Sequence, residues 1–371
     1  MKALSIIPSQ KTILLTERED PQIQGPYEVK VKTLEVGICG TDREEIMGTH
    51  AELPLGEKEL IIGHEMMALV IETGSNVSTI KPGDLVVATV RRPCDHPECY
   101  SCKGGHPDTC SSGLYLERGI KGLHGFQAQF VVDHEMFFVK LPQSMRSYGV
   151  LCEPAAIVEK AIDSAIEIQS CRGLPDWDDP STCLRGKKTL VAGLGSIGLL
   201  TAIILRLHGA DVWGYDIVSQ DALRIQLFKE IGGSYIDGKK ITPSNIASHY
   251  ESFDLIVEAV GVASVTINLI SALGPNGICA MTGVTEANRM LEINVGSLIY
   301  NLVLNNQVIF GTVNAGKKHW KRAVRDLEKA NTVFNRIAER LITHRFSPHE
   351  FQRAFFESSE DEIKKVFVWG E

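Results

Sequence analysis

The sequence predicts an α/β chain of two domains, a β-barrel-like domain followed by a doubly wound parallel sheet. Three observations carry that prediction. Short β-branched runs separated by turns fill the stretch from Val29 to Leu141. From Lys187 onward, short apolar strands alternate with helical patterns, as in parallel sheets covered by helices on both faces. Between the first strand and first helix of that alternation lies a glycine turn, Gly193-Leu194-Gly195-Ser196-Ile197-Gly198. At 371 residues the chain has the length for roughly two domains of about 150 residues each.

In the first domain, Val29-Lys30-Val31-Lys32 alternates as a half-buried strand does. Residues 68–71 and 85–88 are short apolar runs, and Lys81-Pro82-Gly83-Asp84 is a turn. Many short strands with few long helical patterns fit a barrel. The pattern changes near Pro154, where residues 158–168 read as an amphipathic helix and 173–186 as a polar loop. Strands are then predicted at 187–192, 212–215, 255–258, 277–281 and 308–312, the last of them. Helices are predicted at 197–208, 222–231 and 265–273, and a helix-rich tail from Trp320 to Arg340.

Composition narrows the function. A net charge of −8 gives no reason to expect nucleic acid as a partner. No apolar run approaches the roughly 20 residues of a membrane span. The N-terminus turns polar by Ser9-Gln10-Lys11, so it lacks a signal-peptide core and a cytoplasmic location is expected. Nine cysteines are many for such a chain unless some hold metal.

Two groups of residues have metal-binding chemistry. Cys39-Gly40-Thr41-Asp42 and Gly63-His64-Glu65 offer a thiol and an imidazole, which suit zinc, and a carboxylate that can join or orient them. So few protein ligands leave a coordination position open, as a catalytic zinc requires. Cys94-x4-Cys99-x2-Cys102-x7-Cys110 reads instead as a closed, structural tetrathiolate site. His96 lies in its first gap and is the alternative first ligand to Cys94.

The glycine turn has the context of a dinucleotide site. Its first glycine permits a tight turn, its second admits the pyrophosphate, and its third lets helix and strand pack closely. Asp216 ends the next predicted strand, where a carboxylate binds the adenine ribose and repels a 2′-phosphate. No arginine follows it, which favours NAD over NADP.

With these pieces in place, the chain resembles the zinc-dependent medium-chain dehydrogenase/reductase family along almost its full length. The closest likeness is to its archaeal-type glucose dehydrogenases. That likeness is carried by Gly37-Ile38-Cys39-Gly40-Thr41-Asp42-Arg43-Glu44, Gly63-His64-Glu65, Val90-Arg91-Arg92-Pro93-Cys94 and Glu117-Arg118-Gly119-Ile120. His124-Gly125-Phe126, Glu153-Pro154 with Glu159-Lys160, and Gly311-Thr312-Val313-Asn314 add to it. The resemblance implies a GroES-like catalytic domain from residues 1–155 and 318–371, with a structural zinc lobe at 93–111. A Rossmann NAD(P)-binding domain would span residues 156–317. It implies catalytic zinc ligands Cys39 and His64, with Glu65 as ligand or outer partner and Glu153 as a further carboxylate near the metal. Thr41 is then a proton-relay member beside the substrate hydroxyl. Glu117 and Asn314, with Thr41 and Glu153, match substrate-contacting positions. Gly193, Leu194, Gly195, Ser196, Ile197, Gly198, Asp216, Thr282, Gly283, Val284, Thr312, Val313 and Asn314 match cofactor-contacting ones.

The implied activity is that of an oxidoreductase passing hydride from a sugar hydroxyl, the anomeric one of glucose or a related aldose, to NAD(P)+ with formation of the lactone. A homodimer or homotetramer with no nucleic-acid or membrane partner is expected. Three departures stand out. Glu44 occupies the position where many family alcohol dehydrogenases carry a relay histidine. The first gap of the cysteine lobe is two residues longer than the common pattern. Asp216-Ile217 stands where archaeal glucose dehydrogenases often have basic residues serving NADP. A polyol (sorbitol-type) or L-threonine dehydrogenase is the rival within the class, and a non-catalytic nucleotide-binding sensor the rival outside it.

Overall fold

The computed structural model describes residues 1–285 and 288–370. The chain divides into two compact units. One comprises Met1–Ala156, Asn314–Glu328 and the chain from Ala338 onward; the other comprises Ile157–Val313 and Lys329–Ile337. Among the described residues no helix is long and apolar enough to cross a membrane.

The first unit is built on a seven-stranded sheet. Its path runs Phe138–Leu141, Leu85–Ala88, Glu65–Thr73, Glu28–Ile38, Lys364–Val368, Ile342–Phe346, with Phe130–His134 also paired to Glu28–Ile38. Two three-stranded sheets complete the unit, one formed by Lys2–Ile7, Thr12–Glu17 and Leu60–Ile61 and the other by Arg91–Arg92, Leu116–Arg118 and Gly122–Leu123. The strands curl over one core that includes Leu4, Val31, Val36, Ile62, Met66, Phe126 and Phe367. The long strand Glu28–Ile38 organises the sheet. Near its end Gly37 pairs with Glu65 on one side, and Ile38 with Lys365 on the other.

The last two strands correct the expectation that residues 308–312 form the final one. Ile342–Phe346 and Lys364–Val368 follow the helices Lys317–Val333 and Ile337–Leu341. Lys364-Lys365 reads as solvent-facing, yet these two residues are only 2% and 4% exposed. Their ammonium groups are satisfied inside: Lys364 by Glu65, Lys365 by Glu362 and by the carbonyls of Ala354 and Glu357. A one-dimensional pattern cannot anticipate such pairing.

The second unit is a six-stranded parallel sheet in the order Ser234–Asp237, Asp211–Asp216, Lys188–Ala192, Phe253–Glu258, Leu273–Met281, Val308–Gly311. The strand order reverses between Lys188–Ala192 and Phe253–Glu258, and ligands of such sheets bind at the carboxyl ends of the strands at that reversal. The helix Ser196–Leu207 is apolar on nearly every face because it is buried from Gly198 to Leu205. Strand Ser234–Asp237 and helix Val295–Leu304 were not among the predicted elements; the latter carries no charge, and only Ser297 and Asn301 mark its polar side. The helix predicted at 265–273 is Ala263–Leu269, and Leu273 already opens the next strand.

The first unit also holds a buried ion cluster. Asp133 Oδ2 accepts from Arg92 Nη2 at 2.7 Å and from Arg118 Nε and Nη2 at 2.9 and 2.7 Å, while Oδ1 accepts from His134 N at 2.8 Å. Burial pushes the Asp133 carboxyl up, but Arg118 and Arg92 pull it further down, so it lies below the ordinary value. A carboxylate depressed in the folded state contributes stability above its unfolded pKa and loses it as pH falls through the folded one. Asp133→Asn is therefore expected to cost about 3 kcal/mol at neutral pH. Urea denaturation should show the gap between variant and parent closing as pH drops below the ordinary aspartate value of 3.8.

Candidate active site

Cys39, His64 and Glu65 come together because three adjacent elements end at one place. Cys39 closes the strand Glu28–Ile38 and caps the helix Gly40–Ile46, His64 precedes the strand Glu65–Thr73, and Glu65 opens it. One ligand atom from each lies within 4.8 Å of the others. Cys39 Sγ is 3.1 Å from His64 Nε2. On the other ring nitrogen, Nδ1, the buried Asp42 approaches with Oδ1 at 3.7 Å. Asp42 is itself fixed by accepting from Cys39 N at 2.8 Å through Oδ2. At that distance Asp42 is an electrostatic neighbour of the ring and not its hydrogen-bond partner, and Nε2 on the Cys39 side is the nitrogen that could face a metal. Burial lowers the His64 pKa, but the negative charges of Cys39, Asp42 and Glu153 lift it well above the ordinary value.

Glu65 is held by a residue from the far end of the chain. Lys364 Nζ lies 2.6 Å from its Oε1 and 2.5 Å from its Oε2, with both side chains 2% exposed. Gly37 makes room for the pair, since a Cβ there would meet Glu65 Oε2 at 2.0 Å and Lys364 Cε at 3.0 Å. Glu65 therefore faces an ammonium with both oxygens. Glu153, at the start of helix Cys152–Cys171, lies outside the set of atoms within 4.8 Å of one another. Burial pushes its carboxyl up to about 7, with His64 opposing and Glu65 adding to the rise. Thr41 is half-buried in the first turn after Cys39.

Glu117 and Asn314 meet in the same unit. Asn314, in the left-handed region at φ 59°, donates through Nδ2 to Glu117 Oε1 at 2.9 Å. Sequence reasoning had placed both by likeness alone, with no reason for them to touch. It also assigned no role to Asp42, Lys364 or Arg91. Asp42 has a local signal, a carboxylate three residues after a capping cysteine. Lys364 has none.

The four sulfurs of Cys94, Cys99, Cys102 and Cys110 also lie within 4.8 Å of one another, with Cys99–Cys110 and Cys94–Cys110 at 3.7 Å. Four thiolates at about 2.3 Å from a tetrahedral zinc stand roughly 3.8 Å apart, so the cluster has the dimensions of such a site. His96 is turned elsewhere, its Nδ1 accepting from Glu98 N at 3.3 Å. The Cys99 thiol is pulled down to about 5 by the Cys102 backbone N–H and by Ser111, while burial and the other sulfurs push Cys102 up to about 12. Four thiolates so close together repel one another, and a dication suits the donor set.

In the second unit the glycine turn has the geometry its spacing implies. Gly193 has φ 82°, a Cβ on Gly198 would meet Gly193 O at 1.7 Å, and a Cβ on Gly195 would meet nothing within 4 Å. Tight turn, close packing and open approach thus fall on the first, third and second glycines. Leu194, Ser196 and Ile197 fill the turn and open the helix Ser196–Leu207, whose N–H groups suit phosphate. Asp216 accepts from Leu194 N at 2.7 Å and from Ile217 N at 2.6 Å, which ties its carboxylate to the turn. Thr282 follows the strand Leu273–Met281 and donates to Glu258 O at 2.7 Å. A Cβ on Gly283 would meet Gly261 N at 2.3 Å. Thr312 N donates to Met281 O at 3.0 Å, and Val284 and Val313 are exposed. All these positions lie at carboxyl ends of the parallel strands.

Comparison with known proteins adds to this geometry. The sequence profile of the alcohol dehydrogenase GroES-like domain matches residues 25–143, and that of the glucose dehydrogenase C-terminus matches residues 146–368. A glucose 1-dehydrogenase of Methanocella arvoryzae is 37% identical over 93% of each chain. One of Thermoproteus tenax is 36% identical over 99% of each. The structure of Haloferax mediterranei glucose dehydrogenase in complex with NADP, Zn and gluconolactone superposes with a TM-score of 0.89 at 31% identity, covering 100% of both chains. Galactitol-1-phosphate dehydrogenase from Escherichia coli shares the fold, with a TM-score of 0.78 at 22% identity over 99% of this chain and 100% of that one.

The Gly37 geometry generates a test. Gly37→Ala should drive Lys364 and Glu65 apart and cost roughly 3–5 kcal/mol, the usual loss when a buried pair is broken. Chemical denaturation measures the loss, and zinc content of the purified variant should fall with it.

Proposed function

Since the chain belongs to the glucose dehydrogenase family of zinc-dependent medium-chain dehydrogenases, we propose that it oxidises an aldose, glucose or a close relative, at the anomeric carbon to the lactone. Zinc held by Cys39 and His64 would polarise the anomeric hydroxyl, and a bound nicotinamide would accept the hydride. The observation that carries this reading is the presence in one unit of the Cys39–His64 pair, backed by Asp42, and the Glu117–Asn314 pair. A sugar needs both parts: a metal-facing donor set for the reacting hydroxyl, and fixed acceptors and donors for the others.

The chain's own groups then divide the work. Asp42 sets a negative charge behind the imidazole of His64. Lys364 holds Glu65 as an outer partner of the metal ligands. Thr41 receives the proton leaving the anomeric hydroxyl and passes it towards solvent. Glu117, Asn314 and Glu153 bond the remaining hydroxyls. The four-cysteine lobe binds a second, structural zinc. The catalytic unit is read as residues 1–155 and 318–371, with the cofactor unit between. A reducing, cytoplasmic setting suits nine cysteines that are all free thiols.

Asp216 supports NAD as the preferred cofactor, because a 2′-phosphate would be set against a carboxylate already anchored to the glycine turn. A homo-oligomer is read from the helix Val295–Leu304, which carries no charge and exposes Val295, Ile299, Tyr300, Val303 and Leu304. Beside it in the chain, the edge strand Val308–Gly311 pairs on one side only among the described residues. Exposed apolar surface on this scale marks an association site.

Turnover measured by NADH absorbance across aldoses, polyols and L-threonine tests the activity. Aldoses are expected to react and Cys39→Ala to abolish the reaction; turnover of polyols or threonine alone would refute the sugar reading. Catalytic efficiency should favour NAD over NADP, and Asp216→Ala should shrink that ratio by about 10-fold or more, the worth of a charged hydrogen bond. In sedimentation velocity the parent should run as a dimer or tetramer, and Ile299→Asp should shift it to smaller species.

A further inference from the structure

Arg91 lies on the two-residue strand Arg91–Arg92, directly opposite Glu117 in an antiparallel pair. Its guanidinium is buried, and all three of its nitrogens are engaged. Nε and Nη2 each lie 2.9 Å from Glu117 Oε1, and Nη1 donates to Asp108 O at 3.1 Å. Its flat face lies 3.6 Å from the centre of the Tyr115 ring. Asp108 belongs to the short loop between Cys102 and Cys110, inside the four-cysteine lobe. The same Asp108 packs on the chain just after Asn314, where a Cβ on Gly316 would meet its Oδ1 at 2.9 Å.

We propose that Arg91 is a positioning residue for the sugar. It clamps Glu117, and through Glu117 the side chain of Asn314, against the backbone of the four-cysteine lobe. The proposal rests on the reading of Glu117 and Asn314 as sugar contacts. The lobe thereby acquires a task besides stability, since its loop carbonyl fixes the far end of the clamp.

The distribution of hydrogen bonds gives the clamp its consequence. Both Arg91 contacts and the Asn314 contact converge on Oε1 of Glu117. Among the described residues, Oε2 is the oxygen left to accept from a ligand hydroxyl. A carboxylate loaded on one oxygen is fixed in direction, so a hydroxyl meets Oε2 without reorganisation. Without the guanidinium, Glu117 would be a nearly buried carboxylate lacking its cation, and such groups protonate or turn to water. Asn314 would lose its acceptor at the same time. Planarity matters too. Arginine reaches Glu117 and the Asp108 carbonyl at once through a rigid fork, whereas a lysine ammonium is a single point.

The test compares Arg91→Met, Arg91→Lys, Glu117→Gln and the double variant Arg91→Met/Glu117→Gln as zinc-loaded enzymes. The readouts are the sugar KM, the cofactor KM and the dissociation constant of gluconolactone by calorimetry. Arg91→Met and Glu117→Gln should each raise the sugar KM and the lactone dissociation constant by about 10-fold or more, with the cofactor KM little changed. The double variant should bind lactone no more weakly than Glu117→Gln alone, because Arg91 acts through Glu117; a merely structural role predicts effects that add. Arg91→Lys should fall between parent and Arg91→Met, and it carries the test if Arg91→Met does not fold. Lactone binding that is unchanged in Arg91→Lys and Arg91→Met, or losses that add in the double variant, would overturn the clamp. Unchanged lactone binding in Glu117→Gln would instead overturn the sugar-contact reading on which the clamp rests.

Discussion

Gly37 has no Cβ, and the metal-facing half of the first unit is arranged around the space this leaves. The strand that carries it runs between Glu65–Thr73 on one side and Lys364–Val368 on the other. Only a glycine at that point lets the Glu65 carboxylate and the Lys364 ammonium meet over the backbone. Taking both groups out of water is costly, and their attraction offsets the cost only with close contact on both oxygens. The C-terminal strand is thereby tied to the strand that delivers Cys39. The cluster of Cys39, His64 and Glu65 thus depends on Lys364 being folded against it.

The same region is crowded with charge. Asp42, Glu65 and Glu153 surround one imidazole and one ammonium in a region with little water. Burial lifts the pKa values of Asp42 and Glu153, while Cys39 first and then Asp42 and Glu153 lift that of His64 against its own burial. A dication between Cys39 and His64 would neutralise much of this crowding. The second unit uses no such charge. Its phosphate-facing turn is made of backbone, and what it needs is absence of side chains at Gly193 and Gly198 and open space at Gly195.

The contrast explains what could be read from the sequence. The glycine turn, the strand before it, the four clustered cysteines and the alternation of the parallel sheet are local patterns, and they were legible. Cys39 with His64 was legible because the chemistry of thiol and imidazole narrows the choice. The two C-terminal strands were not, because a pair of lysines reads as surface until their partners are known. Helix Val295–Leu304 was hidden for another reason, since no charge outlines it and only Ser297 and Asn301 mark its polar side. The contact of Asn314 with Glu117 spans 197 residues, and no pattern within a window reports a contact of that range.

Among the buried carboxylates of the first unit that basic side chains hold, Asp133, Glu65 and Glu117 are filled in three different ways. Asp133 has donors on both oxygens, two arginines on one and a backbone N–H on the other. It has nothing left to offer a ligand, and its role is to hold strands together. Glu65 accepts a hydrogen bond from one lysine through Oε1 and has Oε2 within ion-pair distance of the same ammonium. Glu117 receives its donors on one oxygen only. Its other oxygen is not among the buried atoms left without a partner, so it is open to an incoming group. On the proposed sugar-contact reading, that open oxygen is the one a substrate hydroxyl would meet, with the rigid arginine fork fixing its direction.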